Sequence, residues 1–320
     1  MTIASPCFKL NPPEYAVQPA ELERLKKLPL EMKIVYSLTK IQNFYVANNG
    51  KVFISFSGGK DSTVLMHLVR SKYPDIPAVF FDTGMEYPEN RKFIKKFDNV
   101  EFIKPEMNFK EVIDRYGYPC ISKEIAAWTG LAQKGYKRAI DRMNDEGMYG
   151  GKRYVWMIDA PFKVSADCCR IMKKKVSHQY YKSTGRCPII GTRVEESRIR
   201  RKVFITHGDD HKSHGIPTLT PLSIWSEKDI EDYIAINRLE LSEAYTKLGC
   251  TRTGCMFCMF GIMNDKDRFL RLKKDHPAIW RQCMKPREEG GLGIKQVLDF
   301  MKIPTGCEQK NIEEFLGGSQ

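Results

Sequence analysis

Two groups of residues have the types and spacing for chemistry. The first is Ser55-Phe56-Ser57-Gly58-Gly59-Lys60-Asp61-Ser62, a glycine turn carrying hydroxyls, an ammonium and a carboxylate. Two glycines let backbone N–H groups approach phosphate oxygens with no Cβ in the way, and a helix starting there adds the partial positive charge of its N-terminus. The spacing is not that of the Gly-x-x-x-x-Gly-Lys-Ser/Thr loop, so this is an anion-binding turn of another kind. The second group is four cysteines, the adjacent Cys168-Cys169 and the C-x-x-C of Cys255-Met256-Phe257-Cys258. Four thiolates suit a tetrahedral zinc ion or a [4Fe–4S] cluster. Structural zinc takes two chelating C-x-x-C-like turns, whereas neighbouring cysteines span different corners of a larger cluster better than one small ion, which favours iron–sulfur. Cys250, five residues before Cys255, ranks below these four as a substitute ligand.

The elements that must position these groups follow from periodicity. Residues 51–56 form a short apolar run of β formers before the turn, and Leu65, Leu68 and Val69 fall at helical spacing after it. Upstream, Ile34, Leu38, Ile41, Phe44 and Tyr45 predict a helix over 31–46 that stops at Asn48-Asn49-Gly50. Downstream the pattern repeats, with a strand over 78–81 ending in Asp82-Thr83-Gly84, a helix over 89–97 and a strand over 100–103. Pro188-Ile189-Ile190-Gly191 then resumes the sheet. Alternating strands and helices predict right-handed crossovers and a parallel sheet with helices on both faces, ligands sitting at the carboxyl ends of the strands. Asp82, Thr83, Gly84 and Gly191 lie at such ends and join the candidate nucleotide contacts; Asp82 and Glu86 suit ribose hydroxyls, a metal or a neighbouring lysine. Residues 106–187 interrupt the alternation with a charged, mostly helical insertion, including 123–134 and a loop at 147–152, of the kind that adds specificity. Ser226-Glu227-Lys228-Asp229 reads as a capping box stapled by Trp225 and Ile230, with no chemistry assigned to it. The predicted organisation is an extended lead-in over 1–29 with a short helix near 20–27, a nucleotide-binding domain over 30–237 and a C-terminal region over 238–320 that carries the C-x-x-C.

Composition narrows the class. With 42% hydrophobic and 28% charged residues and no apolar run near the ~20 residues of a membrane span, the chain reads as soluble and globular. The opening MTIASPCFKLNPPEY lacks the regions of a signal peptide, which predicts a cytoplasmic protein. Ten cysteines in that setting point to reduced thiols, metal ligands or catalysis rather than disulfides. A net charge of +13 suggests a polyanionic partner, and much of the excess lies in 170–202, where eleven Lys or Arg face only Glu195 and Glu196.

These pieces together resemble known families. The turn is similar to the SGGxDS loop of the PP-loop ATP pyrophosphatases, which split ATP between the α and β phosphates and pass AMP to a substrate. Cys168-Cys169 followed by basic residues, the GTRVEESRIR and PLSIW segments and the later C-x-x-C resemble, over about residues 50–260, the adenylyl sulfate (APS/PAPS) reductase superfamily. The resemblance implies an adenine nucleotide α-hydrolase-like fold and a [4Fe–4S] cluster on Cys168, Cys169, Cys255 and Cys258. Two departures stand out. The turn is complete, whereas the reductases tend to have a degraded loop, and the tail Pro304-Thr305-Gly306-Cys307-Glu308-Gln309-Lys310 does not match their catalytic Glu-Cys-Gly-Leu-His. The complete turn looks more like the ATP-hydrolysing branch, which includes the DNA phosphorothioation protein DndC and cluster-dependent tRNA thiolases. That likeness implies ATP held by Ser55, Ser57, Gly58, Gly59, Lys60, Asp61 and Ser62, with Mg²⁺ on Asp61 and catalysis shared by Lys60, Asp61, Arg193 and Arg198. It further implies a DNA or tRNA partner along 170–202 and a sulfur donor such as a cysteine desulfurase. Two other readings stay open: a reductase releasing sulfite with Cys307 as nucleophile, and a nucleic-acid-binding subunit with a structural or regulatory cluster.

Overall fold

The computed structural model describes residues 16–145 and 151–307. Much of the lead-in, most of the loop at 147–152 and the tail beyond Cys307 lie outside the described residues. Strands are β1 (Val52–Ser55), β2 (Ala78–Phe81), β3 (Val100–Ile103), β4 (Cys120–Ile121), β5 (Cys187–Ile190), β6 (Asp210–Ser213), β7 (Ile216–Leu219) and β8 (Met259–Phe260). Two compact units divide the chain, one of Met1–Phe80, Lys92–Phe102 and His178–Ser242, the other of Phe81–Arg91, Ile103–Ser177 and Glu243–Gln320.

The first unit is built on a six-stranded sheet of order β3-β2-β1-β5-β7-β6 with helices around it. β1 runs parallel to β2 and to β5, with Val52 opposite Cys187 and Ser55 opposite Ile190, and β5 runs parallel to β7. Val52, Phe53 and Ile54 are all fully buried, as expected of a central parallel strand covered on both faces. This is the mostly parallel sheet flanked by helices that the alternation predicts, with one difference from the all-parallel expectation: β6 pairs antiparallel to β7 at the sheet edge. Its residues, Asp210-His211-Lys212-Ser213, are polar throughout, so no alternation marks them as a strand. The hairpin is made by His214 and Gly215, which both take positive φ as a two-residue turn requires.

Buried polar groups tie the Leu30–Ala47 helix to this sheet. Lys33 pairs with Asp229 at 2.6 Å, and the Ser37 hydroxyl donates to the Pro221 carbonyl while accepting the indole N–H of Trp225. Asp209, 2% exposed, accepts from the Tyr36 hydroxyl and lies 3.5 Å from Lys40. Burial holds its carboxyl above the ordinary range, against the pull of Tyr36 and Lys40. The folded chain therefore binds this proton more tightly than the unfolded chain. Asp209 takes stability away as pH rises above the unfolded value near 3.8 and through its higher folded value. Asp209→Asn, which keeps an acceptor for Tyr36, is expected to gain urea stability relative to the parent chain as pH is raised from about 4 to 8. A difference that does not change over that range would show that Asp209 stays in one protonation state.

The second unit has its own core, in which Val112, Ile113, Tyr118, Ala126, Met143, Met157, Phe269, Ile294 and Leu298 are buried. Segments far apart in sequence meet there. β4 pairs parallel with β8, Cys120 opposite Met259, and the Tyr118 hydroxyl donates to the Leu292 carbonyl at 2.8 Å. No helix among the described residues is long and apolar enough to cross a membrane.

Candidate functional site

The glycine turn leaves β1 at Ser55 and enters the Lys60–Arg70 helix at Gly59, the N-cap residue, whose lack of a side chain leaves the helix start without a side-chain cap. Gly58 takes a positive φ of 71°, a conformation L side chains rarely adopt. Ser62 pins the turn. Its Oγ accepts the Ser57 N–H at 3.2 Å, lies 3.1 Å from the Ser57 hydroxyl and donates to the Gly59 carbonyl at 2.9 Å. Gly191, after β5, presses on the same place: a Cβ there would come within 3.0 Å of the Asp61 carbonyl oxygen.

A charge network surrounds this helix start. Arg193, 5% exposed, donates from Nε to Asp61 at 2.7 Å and from Nη2 to Glu227, with Glu195 at 3.8 Å. Lys60 pairs with the same Glu227 and lies 3.5 Å from Glu231. Burial pushes the Asp61 carboxyl up, and the Arg193 guanidinium opposes that shift. Burial works against the charged forms of Lys60 and Glu227 as well, but Glu227 and Glu231 outweigh it to raise the lysine, and Lys60 and Arg193 outweigh it to lower the Glu227 carboxyl. Two cations and a glycine-lined helix start are thus offered to a polyanion, with Glu227 as their counter-ion. Sequence reasoning missed Glu227 and Glu231, because an acidic residue in a first turn already has a structural use at a capping box, which forms here around Ser226 and Asp229. Arg198 is not part of this network: it is exposed at the start of the Arg198–His207 helix and makes no ion pair among the described residues.

In the second unit, the Asp82-Thr83-Gly84 turn is held locally. Asp82 accepts from Arg91 at 2.6 Å and from the Gly84 N–H, and the Thr83 hydroxyl donates to Glu86 at 2.6 Å. Backbone bridging joins this turn to the C-x-x-C, Glu86 opposite Cys255, with the Met256 N–H donating to the Met85 carbonyl at 2.8 Å. Cys168 and Cys169 sit where the chain enters a π-helical turn, Arg170–Lys174, a distortion that is frequent at functional sites. Cys168, Cys169, Cys255 and Cys258 are near enough to repel one another as thiolates. Burial, reinforced by that repulsion, pushes Cys255 up to about 12 and raises Cys168 as well. Lys173 faces the group, 3.9 Å from Glu86, and the Cys255 thiolate raises its pKa. Glu86 also has a buried oxygen with no hydrogen-bond partner.

Among the described residues, no three His, Cys, Asp or Glu side chains are arranged to hold a metal ion. The donor set itself, four cysteines whose thiolates would repel one another beside the Lys173 ammonium, suits a thiolate-ligated group. Cys250 lies beside Tyr87, which opposes the raising effect of burial on its thiol pKa. Cys120, fully buried on β4 and close enough to Cys258 to feel its charge, is a neighbour that spacing did not single out.

The basic stretch is shared between the two units, which divide it after Ser177. Many of its charges have acidic partners: Arg170 with Asp167 and Arg200 with Glu196 close by in sequence, Lys175 with Glu106 and Arg201 with Glu23 from further away, besides Lys173 and Arg193.

A model of the phosphoadenosine phosphosulfate reductase domain matches residues 51–260. The chain is 25% identical over 283 residues to uncharacterized protein MJ0973 of Methanocaldococcus jannaschii, covering 87% of this chain and 56% of that protein. It is 26% identical over 226 residues to the phosphoadenosine 5'-phosphosulfate reductase of Buchnera aphidicola subsp. Acyrthosiphon pisum, covering 69% of this chain and 78% of the relative. The chain spans only about half the length of the M. jannaschii relatives, 56% of MJ0973 and 42% of MJ0066. Among solved structures, a phosphoadenylyl-sulfate reductase from Candida auris aligns with a TM-score of 0.41 at 14% identity, over 75% of this chain and 96% of that one. The U34-tRNA thiolase NcsA from Methanococcus maripaludis, with its [4Fe–4S] cluster, aligns with a TM-score of 0.38 at 15% identity, over 88% and 81%. The family match runs from the strand that feeds the glycine turn to the residues just past the C-x-x-C, more than half of the chain, and on that ground the chain belongs to the phosphoadenosine phosphosulfate reductase domain family.

Proposed function

We propose that this chain splits ATP between the α and β phosphorus atoms and transfers AMP to a nucleic acid, DNA or tRNA, preparing it for sulfur insertion as in the DndC-like branch. The observation that supports this most is the complete turn with Lys60, Asp61 and Arg193 gathered at the start of one helix through Glu227. On this reading Lys60 and the Gly58-Gly59 N–H groups hold the β and γ phosphates, displacing Glu227, and Arg193 stabilises negative charge at the α phosphorus. Asp61 would hold Mg²⁺, which neutralises the leaving pyrophosphate. A nucleic-acid oxygen forms a bond to the α phosphorus while the bond to the β-phosphate oxygen breaks, and pyrophosphate leaves with that electron pair. A sulfur nucleophile, delivered by a donor such as a cysteine desulfurase, then displaces AMP. Cys168, Cys169, Cys255 and Cys258 would hold a [4Fe–4S] cluster, which supplies a redox-active binding point for sulfur. Reduced thiols suit a reducing compartment such as the cytoplasm.

Anaerobically reconstituted protein given ATP, Mg²⁺ and candidate DNA or tRNA is expected to release pyrophosphate, and AMP once a sulfur donor is added; release of neither overturns the reading. Adenylyl sulfate reduction is the second reading, favoured by the family model over residues 51–260 and by reductases among the relatives. It needs a reactive Cys307, which packs against the second core with its N–H on the Thr305 hydroxyl. Sulfite release that vanishes in Cys307→Ser would establish it in place of the first.

A further inference from the structure

The turn between the Lys123–Ala132 and Lys137–Asn144 helices breaks three local rules at one exposed place. Tyr136 is the N-cap of the second helix, in an extended conformation that a Ser, Thr, Asp or Asn would use to cap it, yet it makes no capping bond. Lys137 and Arg138 fill the first turn, where the helix dipole disfavours cations, and no acid is there to offset them. The tyrosine is 59% exposed, and Lys134, Gly135, Lys137 and Arg138 are exposed beside it. None of the three cations makes an ion pair among the described residues, and the nearest acid on this helix is Asp141, one turn on. The turn is nonetheless firmly built: Gly135, at a φ of 82°, donates to the Ala132 carbonyl at 2.8 Å, Tyr136 donates to that of Leu131 at 3.2 Å, and Ala139 and Met143 anchor the helix in the core. Local choices that cost stability on a rigid, exposed element are expected where a partner compensates for them.

We propose that this turn binds single-stranded nucleic acid, Tyr136 stacking on an unpaired base while Lys134, Lys137 and Arg138 take the flanking phosphates. Three cations around a bare aromatic face match a strand that offers both phosphates and a planar base. A duplex keeps its base faces stacked inside, and an acidic peptide supplies charge without a ring. The proposal rests on the nucleic-acid reading above for its occupant.

The test is fluorescence anisotropy with labelled single-stranded and hairpin-duplex oligonucleotides across a salt series. It uses the parent chain, Tyr136→Ser and the combined Lys134→Gln, Lys137→Gln, Arg138→Gln variant. Tyr136→Ser is expected to weaken single-strand binding about 5- to 100-fold with an unchanged salt slope. It is also expected to raise the melting temperature, because serine caps the helix; a merely structural tyrosine would lower it. The triple variant is expected to reduce the slope of log K against log salt by about 2, at roughly 0.7 per phosphate contact. Variants that bind as the parent does overturn the surface alone, and strand-dependent pyrophosphate release would then still support adenylation. A parent chain that binds no strand overturns both, and equal losses on duplex and single strand in Tyr136→Ser overturn the stacking.

Discussion

Arg193→Ala is expected to slow pyrophosphate release at saturating ATP by about 10²- to 10³-fold, the range for removing one preorganised donor from a developing charge. The guanidinium is 5% exposed and points its nitrogens at Asp61 and Glu227, so it is held in place before any ligand arrives. Preorganisation is what makes such a group effective, since no reorientation is left for the moment of reaction. Arg193→Lys is expected to recover little of the rate, because a single ammonium cannot bridge Asp61 and Glu227 as a planar fork does. Stability must be followed in parallel: removing one partner of a buried pair costs about 3–5 kcal/mol, and here it would strand Asp61. Single-turnover rates of protein shown by its melting curve to be folded separate the two effects. A folded Arg193→Ala that turns over within about threefold of the parent would limit Arg193 to positioning Asp61.

Serine at Cys168, Cys169, Cys255 or Cys258 is expected to abolish the brown colour and bound iron of the anaerobically reconstituted chain, while Cys250→Ser and Cys283→Ser keep both. Cys168, Cys169, Cys255 and Cys258 are near enough for their thiolates to feel one another and Lys173, whereas Cys250 lies beside Tyr87 and Cys283 is fully buried. Burial pushes the Cys168, Cys255 and Cys258 thiols up, and thiolate ligation releases protons, so loading is expected to improve with pH. ATP binding by the first unit is expected to persist in all six variants, which separates loss of the group from loss of the fold. Iron content together with visible absorbance checks the prediction. A colourless protein that binds zinc on the same four residues would replace the cluster with a structural metal.

Several site features were legible because they are local. Strand, glycine turn and helix follow one another within residues 51–70, and the Ser226 capping box closes within one helical turn. The β6 edge strand was not legible: Asp210, His211, Lys212 and Ser213 have no apolar face for periodicity to find, and only the ladder to β7 defines them. Helix ends were within a residue or two in Leu30–Ala47, while Pro88–Ile94 stops three residues short of the expected end at Phe97.

By itself, the sequence determined which groups are available: a phosphate-binding turn between a β strand and a helix, four cysteines in two short motifs, and an excess of cations. Those are properties of residue type and of spacing within a few positions, where sterics and capping act. Tertiary structure decided how the charges are matched. Glu227 reaches Lys60 and Arg193 across long stretches of chain, Glu86 comes to lie opposite Cys255, and Lys175 and Arg201 of the basic run are paired by the distant Glu106 and Glu23. Ion pairing depends on separations of a few ångströms between side chains from different elements, and the packing of each core sets those separations.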